Sequence, residues 1–552
     1  MKNLFKKVAV LTMALMFVLT SAFAVTGCGK KTGSTNSETE IEILYWESGM
    51  GIEFLQKMKE SFEAKYPEYT IYINATADLQ SVIGDKIIMG RETGDTIDLY
   101  MGTGAAFMSV KEELVDFNDL LDTTIPGENL KLKEKIYSDF LAGQIFDGKA
   151  WALPWLNAPM SIVYNKSVFD VMGYEIPRTT DELAELAVRI QGDGQSATGI
   201  VDETGKKLTQ PNSNKSPAPF IHARQGYEYW SSILYGWVAQ YEGFDEYNEM
   251  LGGNWIDPET GIKYEKSINS LGPEGKLKAM QALEKAIAPV GHSYPQSNAY
   301  DHTTAQTYFL NNAAIMMPNG AWLENEMREH QTSHNYAMMK LPVLSALGEK
   351  LGISDSKLAQ IVDYVDGTTT EKPVVNSDPA KNDAIIERVR EARFTIFNNG
   401  ASQRFLLPKY SNCVEGVQKF LLHFYSDEGL AIYMNYSKSP APAKFADETK
   451  KPDLSSWSSF TQSCAKLTQG MNNVCALANN EFFTKINISG MWNTSVPTFL
   501  TAVNESDKLT AVQIFKKDMD YFESQWPIIC QVLNIVDTAD SVYRAVDLDA
   551  LN

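Results

Sequence analysis

The apolar positions of the chain change period several times within its first hundred residues. Residues 41–46, IEILYW, alternate with a period of two and are rich in strand formers, which predicts a strand. Phe54, Leu55, Met58 and Phe62 then recur at helical spacing, and Pro67 ends that helix. TIYIN (70–74) predicts a second strand. Val82, Ile83, Lys86 and Ile87 predict a second helix, and IDLYM (97–101) a third strand. Strand, helix, strand, helix, strand in one short span is the opening of a parallel α/β sheet with right-handed crossovers. Ligands of such sheets bind beyond the carboxyl ends of the strands. The informative residues are therefore Trp46-Glu47-Ser48-Gly49 and Gly102-Thr103-Gly104.

Further along, DGKAWALPWLNAPMSIVYNKSVF (147–169) holds a turn, a short apolar run, and a strand leading into a helix. Thr180 is suited to cap the next helix, with Asp181 and Glu182 in its first turn, where acidic groups are favoured. The span 191–275 is rich in Gly, Pro, Asn and Trp with little periodicity, and reads as loops and short elements. AAIMMPNGAW (313–322) predicts a strand entering a turn, and YAMMKLPV (336–343) another strand. Residues 344–390 turn charged and irregular and read as an exposed insertion. Val414, Val417, Phe420, Leu421 and Phe424 line one face of a helix, and 450–552 is mostly helical in pattern. No internal repeat is visible.

The leader adds a compartment. MKNLFKK is basic, the following run is apolar, and small residues directly precede a lone cysteine in AVTGCGKKTG (24–33). That layout is an export signal, and its length is the only point in common with a membrane-spanning helix. Val25-Thr26-Gly27-Cys28 resembles a lipobox, in which Cys28 is acylated and held at the membrane by its acyl chains. Residues 1–27 are then a signal peptide and 28–40, without an apolar side chain from 29 onward, a flexible tether. The net charge of −20 argues against nucleic acid as a partner, since phosphates require basic patches. Cys413, Cys464, Cys475 and Cys530 are open to disulfide formation outside the cytoplasm, with Cys464 and Cys475 close enough to close a short loop. No CxxC or Cys/His zinc spacing, no GxxxxGK[ST], no GxSxG and no HExxH occurs, so neither a cofactor nor a metal is expected.

Several local motifs stand in a fixed order: YWESG, FEAKYPEY, TGDTIDLYMG, DGKAWALP, IVYNKSVF, IPRTTDEL, NNAAIMMPNGAW, YAMMKLP, KFLLHFYSDEGLAIYMN and KSPAPAK. Together, behind a lipobox, they resemble the extracellular solute-binding proteins of the maltose-binding type, the lipoprotein receptors of carbohydrate ABC importers. The resemblance covers residues 41–190 and 305–445. It implies an α/β, two-lobed periplasmic-binding-protein type II fold with a hinge of crossing strands. Lobe one would comprise 41–156 plus 396–437, and lobe two 157–395 plus 438–552. It also implies a monomer that binds a carbohydrate between the lobes and hands it to membrane permease subunits.

Sugars offer hydroxyl rims and flat C–H faces, so their sites need aromatic plates with carboxylates or amides. Trp322, in NGAW, matches the family tryptophan that stacks on a sugar ring, the alternative being a core tryptophan under the strand, and Asn319 in the same motif is placed to bond a hydroxyl or to serve the turn. Glu47 stands at the carboxyl end of the first strand. Trp46 points away from the face of Ile41, Ile43 and Tyr45, toward either core or cleft. Trp155 and Asn157, in PWLNAP, fall at the first expected lobe crossing, and Trp230 beside Tyr229 is the best aromatic candidate of the 191–304 span. A surface glycoside hydrolase is the rival reading. It needs two carboxylates at a set separation, and no barrel-like repeat with acids at strand ends appears. A peptide or polyamine ligand is the other alternative, because tryptophan plates also suit cations.

Overall fold

A computed structural model of the protein describes residues 37–47, 49–76, 79, 83–93, 97–103, 110–224, 229–330, 334–475, 482, 507–535 and 541–551. The leader with Cys28, as well as Ser48, Val82 and Gly104, lies outside these. Everything below concerns the unit Glu38–Asn552.

Its frame is two sheets. The strands are β1 (Glu40–Trp46), β2 (Thr70–Thr76), β3 (Leu99–Thr103), β4 (Leu153–Pro154), β5 (Pro159–Asn165), β6 (Ala218–Phe220), β7 (Ala314–Gly320), β8 (Tyr336–Met338), β9 (Thr395–Asn398), β10 (Gln403–Leu406) and β11 (Asn472–Val474). The first sheet runs β2-β1-β3-β10-β4 and the second β11-β9-β5-β7-β6, with β8 also pairing β5. β1 lies parallel to β2 and β3, with Ile43 opposite Ile73 and Leu99. β10 returns antiparallel between β3 and β4. In the second sheet β6 and β7 are parallel, so their carboxyl ends emerge on one edge.

The sequence periodicity of the first lobe maps directly onto burial. Ile41, Ile43 and Tyr45 are fully buried, and the helix Glu53–Lys65 covers them with Phe54, Leu55, Met58 and Phe62. The opposite face of the sheet carries Leu44, Tyr100 and Leu406 under Leu79, Ile83, Ile87 and Trp151. Both faces are covered, as parallel strands require.

Elsewhere the structure departs from the expectations. The helix cap is Thr179, whose hydroxyl accepts from the Glu182 N–H, while Thr180 Oγ1 contacts Ser345 Oγ. The span 191–275 holds two helices, Trp230–Glu242 and Phe244–Leu251. The first packs between the helix Glu274–Ile287 and β9, so nearly its whole circumference is apolar and it has no amphipathic stripe to read. Residues 344–390 are not an irregular insertion. They form helices Ser345–Lys350, Asp355–Val365 and Pro379–Arg393 around their own core of Leu347, Leu358, Ile361, Val362, Ile386 and Val389. Arg393 anchors this bundle by donating to Asp366 and to the Leu341 carbonyl.

The four described cysteines are free. Cys464 is buried in the core of the second sheet's outer face, whereas Cys475 packs on the main core after β11, so the short-loop disulfide is absent. β9 belongs to the second sheet, which moves the second crossing from 396 to 399–402. The segment after the helix Asp427–Ser437 stays with the first lobe: Ala443 bridges to Ile136, and the Lys444 N–H donates to the Lys135 carbonyl.

Candidate functional site

The two sheets are joined where residues 155–158 and 399–402 cross. A cluster of asparagines fills that crossing. Asn398 Oδ1 accepts from the N–H groups of Ala158 (3.0 Å) and Gly400 (2.9 Å), and its Nδ2 donates to Asn157 Oδ1 (2.8 Å) and Asn473 Oδ1 (2.9 Å). Asn157 Nδ2 in turn donates to the Ala441 carbonyl at 2.9 Å. One side-chain network therefore ties four separate stretches of chain together. The backbones meet so closely that a Cβ on Gly400 would lie 2.2 Å from the Leu156 carbonyl oxygen. This corrects the reading of Asn157 as a ligand contact: its amide is spent on the crossing, and it is buried.

Trp155 is corrected in the same way. It is fully buried, stacks on Phe54 (centroids 6.1 Å apart, planes 16°), and meets Tyr45 edge-on at 5.9 Å. Trp230 is also fully buried, edge-on to Phe220 at 5.6 Å under the second sheet. Neither offers a face to a cleft. Both are core residues, because each follows a short strand or turn whose surroundings are apolar on every side. Their indole N–H groups have no hydrogen-bond partner among the described residues.

The carboxyl ends of β1 and β7 are different. Glu47 is exposed directly after β1, its N–H donating to the Thr76 carbonyl. Trp46 is half-buried and leans on the outer core of the first sheet, the face opposite Ile43 and Tyr45. On the second lobe, Trp322 ends β7 and opens the short helix Leu323–Glu326. Its indole packs against Gly320, where a Cβ would fall 2.3 Å from the ring. Only 8% of Trp322 is exposed, so it too packs on the main core, at its rim, and its neighbour is the ring of Tyr229, 5.6 Å away at 59°. Tyr229 is held in the left-handed region at φ 61°, an uncommon state for a non-glycine residue. Asn319 is enclosed, its Oδ1 accepting from the Gly320 N–H at 2.7 Å, so it serves the turn.

Sequence reasoning missed Glu326. It sits one helical turn beyond Trp322, and Gln306 Nε2 donates to its Oε2 at 2.7 Å. Burial pushes its carboxyl above the usual range, with Gln306 and His302 opposing. No periodicity marks it, since ENEMRE reads as a solvated acidic run. Across from it lies the first lobe: a Cβ on Gly49 would be 2.5 Å from Glu326 Cγ, and Asn325 Nδ2 donates to the Ser437 carbonyl. The ends of β1 and β7 thus face one another across the interlobe seam. This arrangement can bind and enclose. Among the described residues no cluster of three or more His, Cys, Asp or Glu is placed to hold a metal ion. No helix among them is long and apolar enough to cross a membrane.

Comparison with known proteins points the same way. The "Diacetylchitobiose binding protein NgcE" of Streptomyces coelicolor is 21% identical over 314 residues, which cover 56% of this chain and 58% of that protein. The "Multiple sugar-binding protein" of Streptococcus mutans is 21% identical over 355 residues, 63% of this chain and 71% of that protein. The chain thus matches less than two thirds of the length of the first of these. Among solved structures, the maltose-bound MalE3 of T. maritima superimposes with a TM-score of 0.52 at 15% identity, covering 88% of this chain and 99% of that one. That likeness establishes a shared two-lobed fold. The family model described as "Bacterial extracellular solute-binding protein" matches residues 50–346, more than half of the chain. The chain is a member of that family of extracellular solute-binding proteins.

Proposed function

We propose that the protein captures a carbohydrate, an oligosaccharide rather than a single sugar, between its lobes and delivers it to the permease of an ABC importer. The observation that carries this reading is the Trp322–Tyr229 pair at the carboxyl end of β7, one helical turn before Glu326, which meets the first lobe at Gly49. An indole packed against Gly320 and against the ring of a tyrosine is a rigid plate. Rigid plates bind sugar faces with little loss of conformational freedom. Glu47, with Trp46 behind it, supplies the hydroxyl acceptor from the first lobe. Both relatives are sugar-binding proteins, one of them named for diacetylchitobiose, which supports a carbohydrate ligand.

In this reading the protein is not an enzyme. It is a monomer, needs no cofactor, and is anchored outside the cell membrane through acylated Cys28. The test is a titration of intrinsic tryptophan fluorescence with a panel of oligosaccharides. Binding in the micromolar range, around −8 kcal/mol, is expected. A panel that alters neither fluorescence nor melting temperature sinks the carbohydrate reading. Release of reducing ends on incubation would favour a hydrolase instead.

A further inference from the structure

The seam between the lobes is built from backbone on one side and side chains on the other. The first lobe contributes the loop Gly49–Gly51. It is held from within by Tyr45, whose hydroxyl donates to the Gly51 carbonyl at 2.8 Å, and by Ser439 Oγ, 3.0 Å from Met50 Sδ. The second lobe contributes Asn325, Glu326 and Arg328. Asn325 donates to the Ser437 carbonyl at the end of the first lobe's helix Asp427–Ser437. The Glu326 side chain passes where a Gly49 Cβ would be, 2.5 Å from Cγ, 2.9 Å from Oε1 and 3.0 Å from Cδ. Arg328 Nη1 comes within 2.9 Å of the corresponding point on Gly51.

The two glycines are not equivalent. Arg328 is 62% exposed, and its guanidinium can swing aside. Glu326 cannot, because the contact involves Cγ and because Gln306 fixes the carboxylate from the far side. Any side chain at 49 therefore either breaks the Gln306–Glu326 bond or parts the lobes.

The geometry points to an interlobe latch: the loop Gly49–Gly51 seats against Asn325–Arg328, and its engagement sets how far the cleft closes. The device rests on the reading that a ligand binds between the lobes, but not on what the ligand is. Such an element biases a two-state hinge, so a modest change in contact free energy shifts the populations of open and closed molecules.

The test compares the purified full chain with Gly49→Val and with Gly49→Val/Glu326→Gly by small-angle X-ray scattering without added sugar, with melting temperatures alongside. A larger radius of gyration is expected for the single variant at an unchanged melting temperature. The double variant, which clears the space again, returns to the wild-type value. A single variant that scatters as wild type overturns the proposal, and so does a double variant as open as the single one. If Gly49→Val does not fold, Gly49→Ala takes its place with the same two outcomes. Since no sugar is present, a failed glycan panel leaves this result standing, and a failed latch leaves the carbohydrate reading standing.

Discussion

His423 is buried between the helices of the first lobe, beside the ring of Phe62 at 5.9 Å. Its Nε2 lies 3.1 Å from Ser61 Oγ, and that hydroxyl donates to Glu428 Oε1. Since the serine proton goes to the carboxylate, Nε2 must carry the imidazole proton, and Nδ1 is left as a bare acceptor without a partner among the described residues. Burial pulls this histidine down to about 4, against an unfolded value of about 6.5. Between those limits the unfolded chain takes a proton that the folded chain refuses. The contribution is present above pH ~6.5 and is lost as pH falls toward 4, by up to about 3 kcal/mol. Urea melts at descending pH should show the gap between wild type and His423→Leu narrowing; a constant gap would refute the assignment. At the candidate site, Trp322→Ala should weaken oligosaccharide binding by ~2 kcal/mol or more if the indole anchors the ring. Calorimetric titration of both proteins with one sugar reads that difference.

At the scale of elements, side chains reinforce the crossing between lobes beyond its backbone bonds, in which the Asn399 N–H donates to the Ala158 carbonyl and the Trp155 N–H to the Gln403 carbonyl. Asn398→Ala would strand the buried N–H groups of Ala158 and Gly400 and leave the Asn157 and Asn473 amides short of a donor. Stranded buried donors cost about 1–3 kcal/mol each, so a loss of about 3 kcal/mol is expected in urea unfolding. The first lobe has a second such knot. Lys135 is fully buried and pairs with Glu128 at 2.5 Å and Asp427 at 2.7 Å, while Asp427 also accepts from the Ala446 and Asp447 N–H groups. Lys135→Met removes the only cation that the two carboxylates share within the buried group and should cost about 3–5 kcal/mol. These elements also show where pattern reading works. The helix Glu53–Lys65 buries the four residues its spacing singled out, because one face meets a sheet and the other meets water. The helix Trp230–Glu242 was not legible, because it is enclosed on all sides and its sequence carries no period. The charged stretch 344–390 was misread because its three helices bury only narrow stripes and leave most of their surface to solvent.

For the whole molecule, two lobes, a knotted crossing and a seam divide the work between rigidity and motion. The seven ligand-contact candidates fall in different surroundings. Trp322 and Glu47 stand at strand ends near the seam, with Trp46 partly withdrawn behind Glu47. Trp155, Trp230, Asn157 and Asn319 went to packing, crossing and turn. Strand ends can be placed from sequence, but whether a tryptophan beside them faces water depends on elements far away in the chain. The proposed anchor can be tested separately from the lobes. Cys28→Ala should release the protein from the membrane while leaving sugar affinity unchanged, which fractionation followed by the same titration would check. A loss of affinity would mean that Cys28 does more than anchor.

The order of local motifs alone determined the family and the two-sheet α/β frame, because each is written in residues that are near neighbours in the chain. Tertiary structure alone decided the rest. Glu326 meets Gly49 from 277 positions away, and Asn398 reaches Asn157 from 241 positions away. Those encounters depend on how two lobes are set against each other, and no local period encodes the approach of two surfaces that distant parts of the chain bring together.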